Sequence, residues 1–406
     1  MNSAVSNSEA ALPRVTLMML AVMCGLSVAS AYYVQPLLPT IGRAFHISDA
    51  SIGILPMLTQ IGIAFGIVLF VPLGDIVDER KLIVALALAQ VLALVLIGAS
   101  QSVGMLRGSS ALLGLTTVTP YLLPPFAAKL TPADQRGHVT GIIARGLFGG
   151  VLLARTASGY VGYYVSWNAI YWFAALGMLG MSVLFYRMTR GTRPNTQLTY
   201  RGLLGSLWPV FMQQRDVRRA MLSQGLLFGA FNVLWVTLAF YLESPLFRLP
   251  SYVAGLFGVI GLGGTLAAPL VGKLADRRGP IFAVRLGTGI MLAAWLVFVL
   301  LSHALWGLVI GVILLDLGGT ASHVSNQARI YRLGREIGSR VTTLYMLGAF
   351  AGAAVFSPLS TVVWAHWAWL GVCALGGGAT IIAFAVCWLP DRQRTPHASS
   401  VRQDAR

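Results

Sequence analysis

A charged phrase occurs twice in this chain. The first copy is Gly74-Asp75-Ile76-Val77-Asp78-Glu79-Arg80-Lys81, and the second is Gly272-Lys273-Leu274-Ala275-Asp276-Arg277-Arg278-Gly279. With Asp78 set on Asp276 the offset is 198 residues in a chain of 406. Each copy follows one long apolar segment and precedes another. A duplicated apolar unit with a charged hairpin in each half restricts the chain to a two-lobed membrane bundle.

Composition agrees. The chain is 56% hydrophobic and 10% charged, with mean hydropathy +0.75. A water-soluble fold of this length cannot cover that much apolar surface. Twelve stretches of bilayer-crossing length are legible, numbered here as spans 1 to 12: approximately 14–38, 51–74, 80–100, 103–127, 138–162, 166–187, 219–242, 251–275, 280–302, 304–327, 338–361 and 365–389. The predicted fold class is an all-α membrane protein, twelve transmembrane helices in two pseudo-symmetric six-helix bundles. Its parts are a tail at 1–13, a first bundle at 14–187, a linker at 188–218, a second bundle at 219–389 and a tail at 390–406. The apolar run that begins at Val15 continues past Tyr32 and Tyr33, so it reads as an uncleaved first span rather than a leader.

The basic residues behind the net charge of +16 sit largely in alternate loops. Arg187, Arg190, Arg193, Arg201, Arg215, Arg218 and Arg219 cluster between spans 6 and 7 against Asp216 alone. An excess of this kind marks cytoplasmic loops and predicts both termini on the cytoplasmic side of a bacterial inner membrane. The opposite loops are nearly neutral: Arg43 offsets Asp49, and Glu243 offsets Arg248. No basic domain stands outside the spans, which excludes a nucleic-acid partner; the lipid bilayer is the expected surface. Cys24, Cys373 and Cys387 lie in apolar stretches without metal-ligand spacing. No phosphate-cradling loop, His-Glu-x-x-His or nucleophile elbow occurs, so neither an enzyme nor a bound cofactor or metal is expected.

Small residues pair at i, i+4 on several spans: Gly62 and Gly66, Gly146 and Gly150, Ala254 and Gly258, Gly307 and Gly311, Gly348 and Gly352. Such pairs let two helix backbones approach closely. Prolines 56, 72, 120, 124, 125, 269 and 358 are placed to bend or break their spans.

At these residues the chain resembles the major facilitator superfamily, over essentially its whole length. The hairpin after the second span of that family reads Gly-x-x-x-Asp followed by basic residues. Gly74, Asp78, Arg80 and Lys81 match it in the first half, and Gly272, Asp276, Arg277 and Arg278 in the second. The resemblance implies spans 1, 4, 7 and 10 around a central cavity. It also implies that spans 2, 5, 8 and 11 meet across the lobes, where the small-residue pairs would serve. The hairpins would act as a conformational latch; as bare charges they could equally anchor their loops. Tyr32-Tyr33-Val34-Gln35-Pro36 and Asp316 to Tyr331 look like the bacterial efflux-type branch that exports sugar- or drug-like compounds. Two departures stand out. Ile76 and Glu79 replace frequent arginines, and Arg155 stands where proton-coupled exporters carry a proline.

Asp316 is the sharpest candidate for chemistry. It lies mid-span in Leu314-Leu315-Asp316-Leu317-Gly318. An ionised carboxylate there costs about 2.5–3.5 kcal/mol on insertion scales. An acid that is charged in one access state and neutral in the other couples transport to protons; a permanent ion pair would not. Arg155 cannot carry a proton, but it can hold an anionic substrate, neutralise Asp316 or snorkel to the surface. His323, two turns from Asp316, is a candidate relay or a packed neutral imidazole. Asn232, Gln35, Asn326, Tyr32, Tyr33 and Trp235 are candidate substrate contacts, with helix joints and interfacial aromatics as their alternatives. The expected activity is proton-coupled export of a small organic compound by a monomer. The alternatives are uptake or exchange of an organic anion, or a sensor without net transport.

Overall fold

The computed structural model describes residues 12–191, 199–266, 277–331 and 338–388. Helices account for nearly all of them, as they must where no water can pair backbone groups. Span 1 is two helices, Arg14–Ser30 and Val34–Phe45, and span 2 comprises Asp49–Ile52 and Ile54–Phe70. Span 3 is Glu79–Gly98, span 4 Val103–Thr116 and Thr119–Lys129, span 5 Arg136–Tyr164 and span 6 Ala169–Met188. Two short helices, Tyr200–Gly205 and Leu207–Gln213, lead to span 7, Arg215–Glu243. Span 8 is Ser251–Leu266, span 9 Pro280–Leu301 and span 10 Leu305–Tyr331. Spans 11 and 12 lie within Gly338–Trp388 and part at Ala368, the non-helical residue inside it (φ 48°, ψ −147°).

The chain reverses at that point. Gly348, Gly352 and Phe356 follow Met221, Gly225 and Gly229 of span 7 in the same order, so span 11 runs parallel to span 7. Trp369, Gly376 and Cys387 meet Phe298, Trp295 and Arg285 of span 9 in the opposite order. Span 12 therefore returns antiparallel to span 9.

The duplication read from the hairpins recurs as helix packing. A side chain on Gly25 of span 1 would strike the carbonyl of Gly146 at 2.6 Å, and one on Gly225 of span 7 that of Gly348 at 2.7 Å. Gly150 presses on Gly25, and Gly352 presses on Gly225. The contact of span 1 with span 5 is thus repeated as that of span 7 with span 11. This corrects the expected role of the small-residue pairs. Gly146 and Gly150 pack on span 1, Gly348 and Gly352 on span 7, and Gly62 and Gly66 on Ala111, Leu115 and Val118 of span 4. All three pairs close a lobe on itself. Of the pairs assigned to this role, Ala254 and Gly258 alone stand at the lobe boundary, where span 8 lies on span 5.

The lobes also meet at the face opposite the Gly74–Lys81 hairpin. Gly53 of span 2 lies against Ser357, Pro358 and Thr361 of span 11, and Thr361 Oγ1 donates to the Ala50 carbonyl (3.1 Å). Arg43 Nη1 reaches Glu243 Oε2 at 2.7 Å, so Arg43 is paired across the lobes. The arginine is 65% exposed, and an ion pair so open to solvent contributes about 0.2–1 kcal/mol. Glu243→Gln is therefore expected to raise labelling of a cysteine placed at position 50 by a membrane-impermeant reagent by at most about fivefold. A larger rise would make this pair the main clasp of that face.

At the hairpin, Asp78 caps span 3 by accepting from Arg80 N–H (3.0 Å), which places an anion at a helix N-terminus. Arg80 donates to the Tyr186 carbonyl and lies over that ring. Glu79 is buried and receives Lys129 Nζ at 2.8 Å. The unusual acid in this copy is therefore a joint between spans 3 and 4. Lys81 is exposed. In the second copy Arg277 and Arg278 are exposed, with Arg278 5.1 Å from the Phe282 ring; Gly272 and Asp276 lie outside the described residues.

Candidate functional site

The break in span 1 creates the centre of the molecule. Ala31 to Tyr33 interrupt the helix just before Pro36, which turns Tyr32 and Gln35 inward. Arg155 enters from span 5 and is 1% exposed, so it does not snorkel. Its Nε donates to Gln35 Oε1 (2.8 Å), and Gln35 Nε2 donates across the lobe boundary to Asn232 Oδ1 (3.2 Å). Asn232 in turn donates to the Phe228 carbonyl (3.4 Å). The guanidinium lies 3.8 Å from the centre of the Trp235 ring, with Tyr32 and Phe231 at 5.4 and 5.7 Å. Aromatic faces stabilise a desolvated cation, though only in part. Nη1 and Nη2 have no hydrogen-bond partner.

Span 8 links this group to an acid on span 10. Gly255, Gly258 and Gly261 form a side-chain-free stripe, one turn apart. Gly255 lies on the backbone of Arg155 and Thr156, and Thr156 Oγ1 donates to the Gly255 carbonyl (2.7 Å). A side chain on Gly258 would meet the Leu152 carbonyl at 2.5 Å and Arg155 Cβ at 3.2 Å. One on Gly261 would meet Asp316 Oδ2 at 2.7 Å. The stripe thus runs from Arg155 to the carboxylate of span 10. Asp316 is 4% exposed, and its Oδ2 has no hydrogen-bond partner. Asp316 and Arg155 are within electrostatic reach, yet they do not touch as a salt bridge. A buried acid and base, each left partly unpaired, cost free energy that a purely structural joint would avoid. The Gln90 cluster shows the contrast. Gln90 bonds Ser27, Ser30 and Thr117 through both of its polar atoms, as a satisfied joint between spans 1, 3 and 4 does.

A sequence profile described as Major Facilitator Superfamily matches residues 20–338. The chain belongs to the Major Facilitator Superfamily. The "Uncharacterized transporter YgaY" of Escherichia coli O157:H7 is 36% identical over 92% of this chain and 94% of that one. The "Probable transporter SCO4007" of Streptomyces coelicolor is 32% identical over 91% and 86%. The crystal structure of the nucleoside transporter NupG superposes with TM-score 0.76 at 12% identity, covering 92% of this chain and all of that one. A bacterial homologue of the human lysosomal transporter Spinster superposes at 0.65 with 14% identity, over 92% and 93%. At these identities the structural likeness concerns the fold. This member of the superfamily is a multi-pass membrane transporter, not an enzyme.

Within the superfamily fold, Tyr32, Gln35, Arg155, Asn232 and Trp235 come together, and the glycine stripe of span 8 links Arg155 to Asp316. The other candidates stay apart. Tyr33 packs on Tyr171 of span 6. Asn326 is ten residues beyond Asp316, about 15 Å along the helix. His323 is seven residues along and bonds to Tyr345 (3.2 Å), whose hydroxyl donates to Gln224 (2.7 Å). Phe231 and the glycine stripe escaped the sequence reading, although the i, i+3, i+6 spacing of Gly255, Gly258 and Gly261 was available to it. Gly261→Ala is expected to displace the Asp316 carboxylate while preserving the fold. In transport assays its pH profile should move relative to wild type; an unchanged profile would detach the stripe from the acid.

Proposed function

We propose that this protein is a proton-coupled secondary transporter of a small organic compound in the bacterial cytoplasmic membrane, working by alternating access. The hairpin face is then the cytoplasmic one, in keeping with its basic loops. The observation that carries the reading is the pair of buried, incompletely paired ionisable groups, Asp316 and Arg155, held where the lobes meet. Asp316 accepts the proton. Arg155 balances it when ionised, and the Gln35–Asn232 bond between lobes reports the occupied state to both. Rocking of the lobes exposes the pair to one side and then the other.

Reconstituted into liposomes loaded with a pH-sensitive dye, the protein is expected to move protons only when a transported solute is present. Solute movement with no proton flux at any pH would defeat the coupling, and binding without translocation would favour a sensor. Efflux of a sugar- or drug-like compound is the direction suggested by the sequence resemblance. The unpaired Arg155 nitrogens support a second reading, uptake or exchange of an organic anion.

A further inference from the structure

We propose that the substrate is a small organic monocarboxylate, seated on Arg155 Nη1 and Nη2 with the Trp235 indole N–H as third donor, and carried together with one proton. The inference rests on the proton-coupled reading above, taken with its second form, organic-anion uptake. Arg155 and Trp235 are 1% and 2% exposed, and Nη1, Nη2 and Trp235 Nε1 are all buried without partners. Both residues line one narrow crevice with Gln35, Pro36, Leu238 and Ala239. Gln35 holds Nε and Trp235 covers one face of the guanidinium, so the plane is set and only its outer edge is left to bind. That edge presents two parallel N–H groups, the geometry that matches a carboxylate. Every unpaired side-chain atom lining the crevice is a donor, and apart from the engaged Gln35 its other walls are apolar. The fitting ligand is therefore an acceptor pair on a small apolar body.

The sign of coupling follows from charge. Arg155 is the cation that acts on Asp316. Among the described residues, span 8 offers only Tyr252 and span 9 only Arg285, both near helix ends. Span 7 has its ionisable groups in its terminal turns, and Tyr32 of span 1 faces Arg155. On span 10 itself His323 is engaged by Tyr345. A carboxylate on Arg155 cancels the charge that balances ionised Asp316, so anion and proton bind each other's complex more tightly, and reciprocally. The loaded carrier is neutral at the site, and both species travel the same way. A cationic substrate would reverse the sign: it would compete with the proton and be exchanged for it.

Calorimetric titration of the purified full chain with benzoate, benzamide and benzylammonium, in buffers of differing ionisation enthalpy across a pH series, counts the protons taken up per ligand. Benzoate is expected to bind at least about tenfold more tightly than benzamide, with a maximum uptake of about one proton. Asp316→Asn should bind benzoate without proton uptake. Trp235→Phe, which keeps the ring and removes the N–H, should weaken benzoate about tenfold with the proton count unchanged. Both variants are compared with wild type only as single species on gel filtration. Absence of benzoate binding, equal binding of benzamide, or preferred binding of benzylammonium with proton release overturns the carboxylate assignment and leaves the coupling reading standing. Benzoate binding with no proton uptake by wild type at any pH overturns cotransport, and with it the coupling reading.

Discussion

Asp316→Asn is expected to abolish proton-driven accumulation of substrate while leaving passive exchange of substrate across the same membrane. The amide keeps the shape and hydrogen-bonding capacity of the protonated acid, so the lobes still close around the site. It cannot ionise, so the cycle has no state in which the proton has left. In liposomes with an imposed pH gradient, uptake should fall to the level seen without a gradient, whereas counterflow with preloaded substrate should persist. The pH dependence of transport, rising toward the pH at which wild-type Asp316 is protonated, should flatten. Retained gradient-driven accumulation with an unchanged pH profile would remove Asp316 from the mechanism. Loss of counterflow as well would mean that the residue is needed to close the lobes, not only to carry the proton.

The second large effect concerns the fold. Gly150→Leu and Gly352→Leu are each expected to destabilise the protein strongly. Each glycine presses on the backbone of a partner glycine, Gly25 and Gly225 respectively, and no flexible side chain there can give way. Overpacking typically costs about 1–3 kcal/mol, and more where backbone must move. The prediction specific to this protein is equivalence: the two variants should lower the midpoint of thermal denaturation by similar amounts, because the same helix contact is built twice. A Gly352→Leu variant that melts like wild type while Gly150→Leu collapses would show that the packing repeat is not an energetic one. Gly289→Leu serves as the control, since space around that glycine is open, and it should melt near wild type.

Much of the architecture was legible in the residues. Runs of about 20 apolar residues cross a bilayer as helices because lipid leaves backbone groups no other partner. Two hairpin copies announced two similar lobes, and the helix packing of Gly25 and Gly225 repeats that symmetry. Asp316 and Arg155 were visible as charges in apolar sequence, where charge is expensive. Three things were hidden. Partner choice by small residues was one: Gly146, Gly150, Gly348 and Gly352 mark a close approach, but their spacing does not say to which helix. The separation of Tyr33 from Tyr32 was another, because adjacent residues on a broken helix face different neighbours. The last was Arg43 pairing with Glu243, two hundred residues away.

The amino-acid sequence alone therefore determined the class and the identity of the costly charges, since both follow from local hydropathy and the expense of burying ions. Only the tertiary structure decided that Arg155, Trp235 and Gln35 share one crevice, that Gln35 ties it to Asn232, and that a glycine stripe on span 8 leads from it to Asp316. Helices apolar on every side carry no mark of which face turns inward; that choice is made by packing between spans far apart in the chain.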